Sequence, residues 1–154
     1  MPLEILAPLV VFGIAIAVFM VHFLANTSER LLQNEQEILE IFALDNPTDK
    51  PGLDIMVTAD HRSALFPMEN PEHQIGLVEV MGSKHLTRLL SDSDITTAEL
   101  IGTTGLYLHL TDFTLRDIRM IFVNSNEVKK VALILRKIGV EITGQDQLLE
   151  EVLQ

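Results

Sequence analysis

The sequence has no cysteine, no tryptophan and a single tyrosine, Tyr107. It carries 11 Lys and Arg against 22 Asp and Glu. Each shortage removes a class of protein. Without cysteine there is no disulfide framework, no thiolate metal site and no cysteine nucleophile. A formal charge of -11 opposes general nucleic-acid binding, which requires a basic footprint. No internal repeat of fixed period occurs, so a solenoid is not expected. The spacings G-x-S-x-G, G-x-x-x-x-G-K-[ST] and H-E-x-x-H are all missing, and no catalytic residue or cofactor site is assigned.

Charge is also lacking from one long stretch. "ILAPLVVFGIAIAVFMVHFLA", Ile5 to Ala25, has no acidic or basic side chain except His22 near its end. About 20 apolar residues suffice to cross a hydrocarbon layer about 30 Å thick. A cleaved leader would begin with basic residues and place small ones before the cut. Met1 to Glu4 has no basic side chain, and Phe23 is large. The expectation is an uncleaved transmembrane anchor over residues 3–25, with Pro8 in its first turns. Gly13 and Ala17 form a small-xxx-small pair suited to helix packing in lipid. His22 reads as a polar side chain reaching the interface, with a ligand role as the alternative. The anchor has no Trp/Tyr belt. Glu4 precedes it and Arg30 follows it, so the positive-inside rule puts the remainder in the cytoplasm.

"NTSERLLQNEQEILEIFAL" predicts a juxtamembrane helix over 27–44, capped by Asn26, Thr27 or Ser28. Leu31, Leu32, Ile38, Leu39 and Phe42 share one side of it, a seam for the chain's own domain or for a partner helix. "DNPTDKPG", 45–52, reads as a linker. From Leu53 the period changes to two. "LDIMVT" alternates Leu53, Ile55 and Val57 against Asp54, Met56 and Thr58. "RSALF", "IGLVEVM", "KHLTRLL", "DITTAELI", "LYLHL" and "LRDIRMIFV" continue to a seventh strand. Gly82-Ser83 and "GTTG" serve as hairpin turns. In "LYLHL", Leu106, Leu108 and Leu110 face one way, and Tyr107 and His109 the other.

Asn124 or Ser125 caps a helix, "NEVKKVALILRKI", with an apolar stripe of Val128, Val131, Ala132, Leu135 and Ile138. Lys129, Lys130, Arg136 and Lys137 occupy its other faces and form a candidate contact for anionic lipid. Gly139 ends it. Residues 140–154 read as an acidic tail with a short helix near Gln145 to Leu153.

His22, His61, His73, His85 and His109 lack tight metal-ligand spacing, and no metal ligand is assigned. "SDSD", with Asp92 and Asp94, reads as a solvated turn.

Strands followed by one amphipathic helix describe an α+β domain over 53–139. In element order it resembles the pleckstrin-homology-like domains, in which a seven-stranded antiparallel sheet or barrel is closed by a C-terminal helix. Phosphoinositide-binding members of that family carry a basic cluster in the first hairpin. The matching turn here, "TADHR", has Asp60 and a single Arg62. The expected function is a non-enzymatic, membrane-anchored interaction module in a bacterial inner membrane, an assembly factor or accessory subunit. Its partner would be another membrane protein or a second copy, with no small-molecule substrate and no nucleic acid. The contact residues expected are Gly13 and Ala17 in the anchor, and Leu31, Leu32, Ile38, Leu39, Tyr107 and His109 in the domain. An anionic-lipid-contacting domain and a membrane-tethered His/Asp metal-dependent hydrolase are the alternatives.

Overall fold

A computed structural model describes residues 3–24 and 30–144. Helix α1 spans Leu3–Leu24, and every side chain from Ile5 to Phe23 is exposed. Its apolar run is long enough to cross a membrane.

Helix α2 spans Glu35–Asp45, a later start than the expected 27. Asn34 caps it by accepting the Glu37 amide at 2.7 Å, and the Glu37 carboxylate accepts the Gln33 amide at 3.1 Å. Residues 30–34 instead form an extended strap. The Leu32 amide donates to the His61 carbonyl at 2.9 Å, and the Arg30 amide to the Gly82 carbonyl at 3.4 Å. Leu32 is buried, so tertiary pairing overrides the helical pattern there. The caps expected at Asn26, Thr27 and Ser28 lie outside the described residues.

Nine strands follow among the described residues, rather than the seven expected. They are β1 (Lys50–Pro51), β2 (Met56–Val57), β3 (Ser63–Asn70), β4 (Ile75–Met81), β5 (Lys84–Leu90), β6 (Ile95–Ile101), β7 (Gly105–Leu110), β8 (Asp117–Ile121) and β9 (Ile142–Gly144). Helix α3, Ser125–Lys137, lies between β8 and β9. The first sheet has the order β1-β3-β4-β5, with β2 also paired to β3; the second has the order β8-β7-β6-β9. The sheets meet where the Ala59 amide donates to the Ile121 carbonyl at 2.8 Å.

Two strands lie outside the domain boundaries drawn from the sequence. The expected linker 45–52 contains β1, which pairs with the far end of β3. The expected tail contains β9, which pairs in parallel with β6, and Val140 is buried. A parallel three-residue strand has no hairpin turn to announce it. The remainder of the tail, 145–154, lies outside the described residues.

The main core lies between the sheets and is closed by α3. It holds Leu65, Leu77, Leu106, Leu108, Met120, Val131 and Leu135, among others. The stripe predicted for α3 is thus inward, from Val128 to Ile138. Asn124 caps the helix, accepting the Glu127 amide at 3.0 Å. Glu127 reaches back to the Val123 amide at 3.2 Å rather than to Asn124 itself.

A second core lies on the other face of the first sheet. Successive residues of β3 and β4 point to opposite faces. Leu65, Ile75 and Leu77 enter the main core, while Ala64, Phe66, Val78 and Val80 meet Leu32, Ile38 and Phe42 below α2. This explains the pattern around β2, which is the reverse of the expected one. Met56 and Thr58 are buried, Ile55 and Val57 are packed only partly buried against the second core, and Leu53 is exposed.

Phe66 lies opposite Gly76 in the register and packs edge-on against Phe42 at 5.0 Å between ring centroids. A methyl group at Gly76 would sit 2.1 Å from Phe66 Cε2. Gly76→Ala should therefore overpack this layer by about 1–3 kcal/mol, and Phe42→Ala should cost about 3–5 kcal/mol by leaving a cavity. Leu44→Ala, on the exposed side of α2, should stay within about 0.5 kcal/mol. Denaturant midpoints of the full chain check all three; equal midpoints for Phe42→Ala and Leu44→Ala would show that α2 is not docked.

Candidate functional site

The two sheets differ in cover. The outer face of the first is occupied by α2, whereas on the second sheet the outward side chains are half-buried or exposed and mostly polar, with Ile101 and Ile121 at one end. Alternation generates this face. Leu106, Leu108, Ile118 and Met120 point inward, leaving Tyr107, His109, Asp117 and Arg119 outward. The register orders them in rows. Glu99, Tyr107 and Arg119 stand side by side on β6, β7 and β8; Thr97, His109 and Asp117 form the next row.

One carboxylate organises the middle of the face. The Tyr107 hydroxyl donates to Asp117 Oδ1 at 2.5 Å, and His109 Nδ1 lies 2.6 Å from the same oxygen. The hydrogen bond from Tyr107, and then that from His109, holds the Asp117 carboxyl below the ordinary range. The same bond pushes the Tyr107 phenol up, because ionising it would set two anions against each other. The arrangement holds His109 with its other ring nitrogen directed away from Asp117. It is an ordered polar surface rather than a pocket.

The end of the domain beside the strap and the opposite end carry two grooves. The first, about 750 Å³, runs between α2 and β5 and is lined by Arg30, Glu37, Glu40, Ile41, Leu44, Lys84 and His85. A ring nitrogen of His85 lies 2.9 Å from the Arg30 carbonyl, and Thr87 donates to Asp45 at 2.6 Å, so strap and helix are both tied to β5. The second, about 580 Å³, lies between the β3–β4 turn and the end of α3, with Glu72, His73, Lys137 and Gln74 in its lining. Gln74 Oε1 is buried there and has no partner among the described residues.

Two further contacts brace the domain. Arg88 Nε meets Asp112 Oδ2 at 2.5 Å, joining β5 to the β7–β8 loop and holding the Asp112 carboxyl below its usual range. Ser63 donates to Glu79 across β3 and β4, and burial pushes the Glu79 carboxyl up despite that bond.

The residues singled out in the sequence separate accordingly. Leu32 and Ile38 are buried in the second core, so they are not an exposed partner surface as expected. Their apolar side is used on the chain's own sheet. Leu39 is half-buried and Leu31 is 38% exposed beside the strap. Tyr107 and His109 do share a face. Gly13 and Ala17 lie on the exposed α1 helix. Lys130, Arg136 and Lys137 are exposed and Lys129 is half-buried. Sequence reasoning missed Glu99, Asp117 and Arg119, although "DIRMI" alternates as clearly as "LYLHL". Among the described residues, no three His, Asp or Glu side chains are grouped to hold a metal ion.

No family model, no curated protein and no solved structure matches this chain.

Tyr107 is the chain's only tyrosine and there is no tryptophan, so phenolate absorbance reports on this cluster alone. The wild-type titration midpoint should lie above that of free tyrosine, and Asp117→Asn should bring it down. Linkage fixes the sign at the other end of the scale. A carboxyl lowered in the folded state contributes stability above its unfolded pKa, and that contribution is lost as pH falls through the folded one. Asp117→Asn should therefore flatten the acid limb of a stability-versus-pH curve. An unchanged phenolate midpoint in the variant would disprove the coupling.

Proposed function

We propose that this chain is a non-enzymatic, membrane-anchored interaction module, acting as an assembly factor or accessory subunit of a membrane protein complex. The observation that carries the reading is α1. From Ile5 to Phe23 it exposes an apolar surface without Asp, Glu, Lys or Arg, and none of those residues contributes to either core. Apolar area of that extent requires a non-aqueous surrounding. A signal sequence passes the same test of length and composition; the bulk of Phe23, where a cleavage site needs small residues, favours retention.

The domain beside it fits binding better than chemistry. Its ordered polar cluster lies on an open sheet face, where water has free access to any reacting group. Two successive antiparallel meanders, β2 to β5 and β6 to β8, followed by α3 support the pleckstrin-homology-like reading, with β1 and β9 as additions. Arg30 just after the span favours a cytoplasmic domain, as in a single-pass protein of a bacterial inner membrane.

The strap bears on which end of the domain faces the bilayer. Between Leu24 and Arg30 the chain spans at most roughly 20 Å. Arg30 is hydrogen-bonded to Gly82, so the β4–β5 turn lies near the anchor. The β3–β4 turn is at the other end of β4, and Lys137 lines the groove beside it. The C-terminal end of α3 thus points away from the tether, which disfavours that helix as a lipid contact. Protein contact is the better use of Arg136 and Lys137.

In cells, the full chain should remain in the membrane pellet after alkaline extraction and keep Met1 to Ala25. A reporter fused after Gln154 should be active only if it requires the cytoplasm. Recovery of a soluble chain starting beyond Ala25 would refute the anchor, and activity of a periplasm-dependent reporter would refute the orientation.

A further inference from the structure

We propose that the outer face of the second sheet pairs with the same face of a second copy of this chain, through reciprocal Glu99–Arg119 contacts. The inference rests on the membrane-anchored reading above and names its partner.

The argument is one of symmetry. Glu99 and Arg119 are exposed and stand on β6 and β8, one strand to either side of Tyr107 in a single row. Opposite charges flanking a central strand make the face self-complementary under one particular two-fold axis. With the axis in the interface and parallel to β7, β6 of each copy lies over β8 of the other. Glu99 of each then meets Arg119 of the other, the reciprocal contact an isologous interface requires. An axis perpendicular to the strands would set Glu99 on Glu99 and Arg119 on Arg119, which like-charge repulsion opposes.

The favoured axis also agrees with the tether. Thr104 and Gly105, at the start of β7, sit at the end where Phe122 bonds to Thr104, Ile121 to Ala59, and His61 to the strap at Leu32. Leu110 lies at the other end, by Asp94 and Arg116. β7 therefore runs away from the anchor end. A two-fold parallel to it places both copies' Arg30 at the same end, so both chains can enter one bilayer from one side.

The composition suits a contact. Tyr and Arg are the side chains that anchor interfaces. Tyr107 and His109 are already ordered by Asp117, so less conformational freedom is lost on docking. Exposed Ile121 adds an apolar edge. Four strands make a face only about 15 Å wide, which is small for a protein interface. Confinement of both chains to one membrane offsets that by raising their effective concentration.

The test uses the full chain with two different tags, co-expressed and solubilised in mild detergent, with recovery of one tag on the other as the readout. Wild type should pair. E99R alone and R119E alone should each lose about tenfold or more of the recovery, since each sets two like charges together twice. Co-expressing tagged E99R with differently tagged R119E should restore pairing, because one of the two contacts becomes Arg opposite Arg's replacement, Glu, and the like-charge clashes of each variant with itself are relieved. The neutral variants E99Q and R119Q should weaken pairing less, and mixing them should restore part of it, because one Glu99–Arg119 contact re-forms in the mixed pair. The proposal is overturned by a monomeric wild type, by charge reversals that leave pairing intact, or by a mixed pair that fails to recover while both variants keep the wild-type thermal transition. Wild type that recovers an unrelated membrane protein instead of itself also overturns it. Membrane pelleting of the same samples separates the two readings. A soluble chain refutes the anchor while leaving pairing measurable, and an anchored chain that never pairs refutes this inference alone.

Discussion

Phe66 can lie flat against its neighbouring strand because position 76 has no side chain. The ring occupies the space a Cβ would need and stands perpendicular to the ring of Phe42. That contact docks α2, and α2 in turn determines much else. Once Ile38 and Phe42 are held against β3 and β4, Asn34 must cap the helix at the edge of the sheet, and the residues before it must cross the sheet as a strap. The strap's amides then meet His61 and Gly82, and the point where the apolar helix attaches follows. A packing choice in the interior thus decides which end of the domain stands nearest α1.

The same constraint separates the two sheets. The central strands of the first are apolar on both faces, with Ala64, Leu65 and Phe66 buried in succession, so they require cover on both sides. On β7 and β8 the second sheet alternates, with Leu106, Leu108, Ile118 and Met120 in and Tyr107, His109, Asp117 and Arg119 out. One helix beyond the closing α3 therefore satisfies the domain. What stays open is the face whose polar groups are already ordered by Asp117, and binding there demands little rearrangement.

Legibility in the sequence follows the range of the interactions. Periods of 3.6 and 2 are local, and so α1, α3, the β4–β5 turn at Gly82-Ser83 and the inward leucines of β7 are readable from a few neighbouring residues. Asn124 and Gly139 mark the ends of α3 for the same reason. β1 and β9 are short strands recruited by partners far along the chain, and nothing local distinguishes them from a linker or a tail. The strap misleads for a related cause. Leu31 and Leu32 continue a helical stripe on paper, but the hydrogen bond to His61 and the burial of Leu32 prevail over that weak propensity. The polar face was half legible. "LYLHL" shows Tyr107 and His109, yet Asp117, which orders them, lies on another strand, and only the register brings it within reach.

Charge placement completes the relation between the fold and the proposed membrane setting. The molecule is acidic overall, yet Arg30 lies in the strap, Arg62 in the turn it touches at His61, and Lys84 at the start of β5 beside Gly82. A chain with 22 acidic side chains against 11 basic ones would be repelled by an anionic leaflet if it approached at random. At the end held by the strap, Arg30, Arg62 and Lys84 offset the nearby Glu37, Glu40 and Asp60, and in the proposed setting the acidic groups at the opposite end would be screened over about 10 Å. The interior contact of Phe66 with Phe42 and the surface distribution of charge therefore serve one geometry. It keeps β7 directed away from the end where the strap meets the domain and leaves the outer face of the second sheet uncovered by any described element.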